Sequence, residues 1–441
     1  MWTRDSVLKR KIRRYYLGVA ILVVLFINVL LTHALLHKKN YVQARWESQL
    51  PYGNYLPNSE NPLIRVVLKT NGFGQITHNE VRLSAKKGLI VSVGDSTSEV
   101  ASGEEILLKP DDSRFQNGTV LVTPKEEGDR ITIHSLSREI GVPSYQGVME
   151  LFSTAEGIVI VNEVPLETYL CAVVPSEMPA SYELEALKCQ AVCARSYAYC
   201  QMLAFSYPEY KAHVDDSVTY QVYGNCREHE ATTKAVNETA GQMVWNKNKV
   251  AMTYYFSTSS GYSTSVEAWG TKLTSENKYL SGVAICDKNQ EFYEKEYPWH
   301  RWEAVIPERL LGNLISLNTG TDIGSLQALR VIKTGVGGVV LEIEATGSKG
   351  SVTVGTENKI RSALGGSGYT VKRQDGVSVD STRLLPSAFF TISKQNGNYI
   401  LSGGGRGHGI GMSQNGANEM AKEGKSYKEI LTFFYTGTKV E

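Results

Sequence analysis

From Leu63 onward the apolar residues come in short alternating or continuous runs, IRVVLKT, EVRLSA, GLIVSV, EILLK, TVLVT, RITIH and GIVIVN, divided by clusters of Gly, Asn, Asp and Ser. Period-two alternation sends side chains to opposite faces, so each run predicts a strand and each cluster a turn. The period changes at Pro165. Leu166, Tyr169, Leu170 and Val173 recur at helical spacing, and a second helical pattern carries Leu184, Leu187, Ala191, Ala194 and Ala198, with Ser181 as its expected N-cap and Glu183 and Glu185 in its first turn. Between the two, Pro175 and Pro179 bracket Ser176-Glu177-Met178-Pro179. Proline disfavours helix at itself and at the residue before it, so a turn is expected there, with Glu177 on a short loop between packed helices. A carboxylate so placed is either a cap or ion-pair partner, or an acid–base group presented by a scaffold.

Beyond the second helix lies a polar loop, His213 to Gly224, then a helical pattern from about Glu228 to Thr239. A strand pair, Gln242 to Val244 and Val250 to Phe256, runs into Ser257-Thr258-Ser259-Ser260-Gly261. Hydroxyls and a glycine at a strand end suit a saccharide-binding edge, and equally an ordinary polar turn. Residues 297–393 are again β-rich, with one helix expected near Pro307 to Leu317; Tyr297, Trp299 and Trp302 suit either sugar stacking or core packing. The stretch Gly403 to Ala417 is dense in glycine, which permits positive φ and close backbone approach, and a ligand is the expected reason. The glycines do not fall as the dinucleotide fingerprint G-x-G-x-x-G, and Ser413 lacks the G-x-S-x-G elbow of a serine hydrolase.

The amino-terminal region reads differently. Tyr15 to Leu36 is one apolar run, broken by Gly18, Asn28, Thr32 and His33, long enough as a helix to cross a hydrocarbon core of about 30 Å. Arg4, Lys9, Arg10, Lys11, Arg13 and Arg14 precede it against Asp5 alone, which keeps the amino terminus cytoplasmic and places the body outside. No small-x-small cleavage site comes after it, so a retained anchor is expected rather than a cleaved signal peptide. The polar, proline-containing segment 38–61 reads as a stalk. A chain of 441 residues with 42% hydrophobic residues can build two or three cores, and a net charge of +1 argues against nucleic acid as a partner. Six cysteines, four of them in the helical stretch, are expected as free core thiols.

Three separated stretches carry a family resemblance: Val164-Pro165-Leu166-Glu167-Thr168-Tyr169-Leu170 through Val174-Pro175-Ser176-Glu177-Met178-Pro179 to Ala194-Arg195-Ser196-Tyr197; Tyr255-Phe256-Ser257-Thr258-Ser259-Ser260-Gly261; and Gly407-His408-Gly409-Ile410-Gly411-Met412-Ser413-Gln414 with Gly416-Ala417. In this order and wording the chain resembles the stage II sporulation protein D (SpoIID/LytB) family, from Ser135 to Val440. The resemblance implies a peptidoglycan lytic transglycosylase cutting the MurNAc–GlcNAc bond to leave 1,6-anhydroMurNAc ends, with Glu177 as general acid and base. It implies Arg195, Ser257, Ser259, His408, Ser413 and Gln414 as the residues holding the glycan, and a peptidoglycan amidase of the sporulation machinery as partner. No cofactor is expected. The structural zinc of some members is expected to be missing, because His213 is present but Val214 and Tyr220 stand where cysteines would align. The alternative is a non-catalytic wall-binding scaffold or amidase enhancer. Asp215 and Asp216 are the acids that could turn the reaction into hydrolysis.

The expected fold is therefore α+β: a cytoplasmic tail (1–14), a transmembrane helix (15–37), the stalk (38–61), a β-rich leading region (62–134), and a catalytic domain (135–441) in which helices are inserted into an extracellular β framework.

Overall fold

The strand Gly157–Pro165 is apolar at nearly every position, and it is buried along nearly its whole length, which requires cover on both faces. Ile158, Ile160 and Val164 enter the main core, while Val159 and Val161 pack with Val67 and Ala212 in a smaller cluster on the other side. In this computed structural model, which describes residues 61–203 and 205–441, the strand lies inside an eight-stranded sheet. Its neighbours are Leu63–Leu68 and Val148–Thr154, both antiparallel. Val148–Thr154 pairs in turn with Val120–Pro124. Strands from both sides of residue 134 thus share one sheet and one core, so the β-rich leading region and the first strands of the expected catalytic domain are continuous. The expected tail and transmembrane helix, and the stalk up to residue 60, lie outside the described residues. Among the described residues no helix is long and apolar enough to cross a membrane.

Helices α1 (Leu166–Glu177) and α2 (Leu184–Met202) come directly after this strand, and α3 (Glu230–Glu238) packs against both. Helices α4 (Glu308–Thr319) and α5 (Glu357–Leu364) belong to a third core with the five-stranded sheet containing Trp302–Pro307. Helices α6 (Gln414–Lys422) and α7 (Tyr427–Phe434) close the chain against α2. Helix α2 is buried on almost every side. Ala191, Ala194 and Ala198 face the core built on the large sheet, and Ala186, Leu187, Cys189, Val192 and Cys193 face the core shared with α6 and α7. Alanines and cysteines at these positions let both sets of neighbours approach closely.

Two local expectations are corrected. Helix α1 does not stop at Pro175 but runs through it to Glu177. Ser176 Oγ donates to the Ala172 carbonyl at 2.8 Å, and the Met178 N–H closes the last turn on the Val174 carbonyl at 2.9 Å. The helix ends where Pro179 forces Met178 into an extended conformation (φ −136°, ψ 135°). Helix α2 is preceded by Glu183 rather than capped by Ser181, and the Glu183 N–H is satisfied by Asn418 Oδ1 of α6 at 2.9 Å.

Arg195 lies at the centre of α2 with no exposed surface. Its guanidinium meets both Glu167 carboxylate oxygens of α1 at 2.7 Å and donates to the carbonyls of Gln242 and Val236 at 3.1 and 3.2 Å. Removing one partner of such a pair leaves a buried charge uncompensated. Glu167→Gln is therefore expected to cost about 3–5 kcal/mol in urea unfolding, whereas Glu167→Leu with Arg195→Met recovers most of that loss.

Candidate active site

Because α1 ends at Glu177, the carboxyl emerges at the tip of a helix whose inner side, Val173 and Val174, is packed in the core. Glu177 Oε1 accepts the Val222 N–H at 2.8 Å, and the Tyr255 hydroxyl hydrogen-bonds the same carboxylate. Tyr255 is held by Gln221, whose Nε2 donates to its hydroxyl at 3.2 Å while Oε1 accepts from Tyr169 at 3.3 Å. The Glu177 main-chain carbonyl accepts from Gln414 Nε2 at 2.9 Å. Burial pushes the carboxyl up to about 7, and the bonds from Val222 and Tyr255 oppose that rise only in part. Glu177 nonetheless keeps part of its surface open.

The three motif stretches meet here. Tyr255–Phe256 and Met412–Ser413 form a parallel pair, and Thr258 makes a separate antiparallel bridge to Arg406. Asn415 ties the two segments, its N–H donating to the Ser257 carbonyl at 3.1 Å and its Nδ2 to Thr258 Oγ1 at 2.9 Å. The Tyr182 hydroxyl, from the loop between α1 and α2, donates to Asn415 Oδ1. Glycine in the last stretch serves this packing directly at one position. At Gly411 (φ +80°) a Cβ would stand 2.0 Å from the Tyr254 carbonyl oxygen, so the left-handed backbone and the contact both demand glycine.

The residues expected to hold the glycan divide sharply. Gln414 reaches Glu177, but through its backbone, which makes it a positioning group. Ser257 is partly exposed beside Thr258. Arg195 is sealed within the helical core and is not available to a substrate. Ser259 and Ser413 are buried because both serve Glu294, a fully buried carboxylate with no motif of its own. Ser259 N–H and Ser413 Oγ donate to Glu294 Oε1 at 2.8 and 2.7 Å, and Ser259 Oγ donates to Oε2. Burial raises Glu294 to about 7 as well. His408 accepts the Ile410 N–H on Nδ1 at 3.0 Å and bonds the Tyr255 backbone, which leaves both ring nitrogens engaged. Its ring packs 5.0 Å from Trp269, and burial pushes its pKa down to about 3, which favours the neutral imidazole, while the residue stays half-buried.

Other acids near the motifs are committed elsewhere. Asp216 pairs with Arg138 at 2.5 Å and accepts the Lys69 N–H at 3.0 Å; Asp215 accepts from Ser217 Oγ and Tyr207, each at 2.6 Å. Both are buried. Glu185 caps α7 at the Tyr427 N–H and pairs with Lys188. His213 accepts the Arg65 N–H on Nδ1 at 3.0 Å and stacks on Phe205. Among the described residues no group of three His, Cys, Asp or Glu side chains is placed to hold a metal ion. All six cysteines are free, with Cys189 and Cys193 buried.

Residues 154–245 match the family model described as Stage II sporulation protein, and residues 239–411 match a domain of unknown function, DUF8618. An uncharacterized protein of Brachyspira hyodysenteriae is 31% identical over 304 residues, 67% of this chain and 72% of the relative. The amidase enhancer of Bacillus subtilis is 31% identical over 61% of this chain, but the match spans only 40% of that protein. Stage II sporulation protein D of Bacillus subtilis is 30% identical over 64% of this chain and 75% of its own length. With Glu177, the strand-end serines and the glycine-rich stretch drawn together in one fold, the chain belongs to the stage II sporulation protein D family.

Proposed function

We propose that the protein is a peptidoglycan lytic transglycosylase with Glu177 as its one acid–base group, acting in sporulation-linked remodelling of the wall. The observation that carries this reading is a partly open carboxyl raised to about 7 by burial, with no second acid among the groups that set it. A carboxyl near neutrality is suited to give up a proton and take one back. In the first half of the reaction Glu177 protonates the bridging oxygen as the MurNAc C1–O bond breaks, releasing the GlcNAc end. In the second half the Glu177 carboxylate removes the proton from the MurNAc 6-hydroxyl as that oxygen bonds C1, which closes the anhydro ring and restores the acid. Tyr255 and the Val222 N–H stabilise the ionised form between the halves. A hydrolase instead needs a second carboxylate flanking the bond. Asp215 and Asp216, the expected rivals for that role, are tied to Ser217, Tyr207 and Arg138.

The name of the Bacillus subtilis amidase enhancer supports a second reading, in which this chain binds glycan and promotes a partner amidase. The apolar run at 15–37 is proposed as the anchor that holds either activity at the boundary between membrane and wall.

Zymography and soluble-product assays on purified glycan with the full chain separate the two readings. Glu177→Gln is expected to lower cleavage by about 10²–10⁴-fold while glycan binding persists, because the amide keeps the shape and cannot transfer a proton. Near-normal turnover in that variant would place the acid elsewhere. The pH dependence has a definite sign: cleavage should fall with increasing pH above about 7, as the starting acid is lost. Stability depends on the same group. Its pKa is raised on folding, so ionisation favours the unfolded chain as pH climbs from 4.5 through about 7, and Glu177→Gln should melt higher than the parent at pH 8.

A further inference from the structure

The five-stranded sheet of the third core turns one face away from that core. In register across four of its strands stand Lys372, Glu303, Ser402 and Thr391, all exposed. They line a cleft of about 750 Å3 that none of Glu177, Val222, Gln221 or Gln414 enters. Tyr262 lines the same cleft, an aromatic residue left 38% exposed and held edge-on by Phe292 at 5.5 Å. Gly337 lets the neighbouring turn close on Tyr262, since a Cβ there would lie 2.6 Å from the Tyr262 Cβ, and Gly338 leaves backbone open beside it.

The charges in the cleft are unbalanced. Arg301 Nη1 is anchored on the carbonyls of Ser260 and His300 at 2.9 and 2.7 Å, so its guanidinium is held at the cleft rim. Among the described residues neither Arg301 nor Lys372 forms an ion pair, whereas Arg373 is paired with Asp375 at 2.6 Å. Glu303 is the acid of the row and supplies an acceptor between Lys372 and the two hydroxyls. A partly exposed aromatic ring in one cleft with a row of hydroxyl, carboxylate and ammonium groups suits a ring that is apolar on one side and rich in hydroxyls and amides at its edge. The unpaired cations add a demand for negative charge. We propose that this cleft is a second glycan site that binds an acidic amino-sugar oligosaccharide, a ring stacking on Tyr262 and its carboxylate meeting Arg301 and Lys372.

This rests on the reading that the protein acts on peptidoglycan glycan, and it gives the segment 239–411, which matches a domain of unknown function, a task. The test is calorimetric titration of the full chain carrying Glu177→Gln with three probes: a GlcNAc–MurNAc tetrasaccharide with free lactyl carboxylates, neutral chitotetraose, and a stem tetrapeptide. Adding Tyr262→Ala should weaken binding of both saccharides about tenfold. Adding Arg301→Gln with Lys372→Gln should weaken the acidic saccharide by about tenfold or more and leave chitotetraose unchanged. Because Tyr262 packs on Phe292 and Arg301 bonds two carbonyls, binding is compared at a temperature well below the melting point of every variant, and Tyr262→Phe, which keeps the ring, should retain parental affinity. Saccharide affinities within twofold of the parent in all variants, or binding of the tetrapeptide alone, would overturn the site. Failure of the wild-type chain to release glycan fragments, with Tyr262-dependent binding intact, would instead sink the lytic reading and leave the cleft standing.

Discussion

The ion pair between Arg195 and Glu167 is the interaction on which the rest of this architecture depends. A helix packed on both sides, as α2 is, has no solvent in which to leave a charge, and Arg195 stands midway along it with no exposed surface. Glu167 neutralises it from α1, and the carbonyls of α3 and the following turn take the remaining donors. The pair therefore couples α1 to α2 at a place where sliding either helix would strand a buried charge. Helix α1 ends ten residues later at Glu177, so the position of that carboxyl is set by the pairing.

From the other side Glu177 is set by a relay of polar groups. Gln414 holds its backbone, and Ser413, which begins the same helix, is held by Glu294 together with Ser259. Desolvation then does the chemical tuning. The carboxyl gains little compensation from its two hydrogen bonds and sits near 7, where a single group can serve as acid and then as base. The same burial that prepares the site makes it costly to hold ionised, which links its chemistry to the stability of the fold.

Much of this is legible in the residues. The strand runs, the two helical patterns and the break at Ser176-Glu177-Met178-Pro179 are local signals, and α1 and α2 lie where periodicity places them. Pro175 misleads, because the helix runs through it, with the Ser176 hydroxyl on the Ala172 carbonyl and the Met178 N–H on the Val174 carbonyl, and breaks only at Met178 before Pro179. Arg195 reads as a glycan contact for a different reason: its partner lies 28 residues away, on a face that no pattern reveals. Glu294 gives no sequence signal at all. It belongs to no motif, and its importance comes from serving two serines 35 and 119 residues distant. The glycines of the last stretch do mark close approach, and at Gly411 the approaching group is the chain's own backbone at Tyr254.

The central claim is that one carboxyl suffices because the sugar supplies its own nucleophile. The most direct measurement is digestion of glycan strands by the full chain in water enriched in heavy oxygen, with the new ends read by mass spectrometry. Closure by the 6-hydroxyl predicts 1,6-anhydroMurNAc ends, lighter than hydrolysed ends by one water and free of the label. Reducing ends carrying solvent oxygen would contradict the account and make the protein a hydrolase.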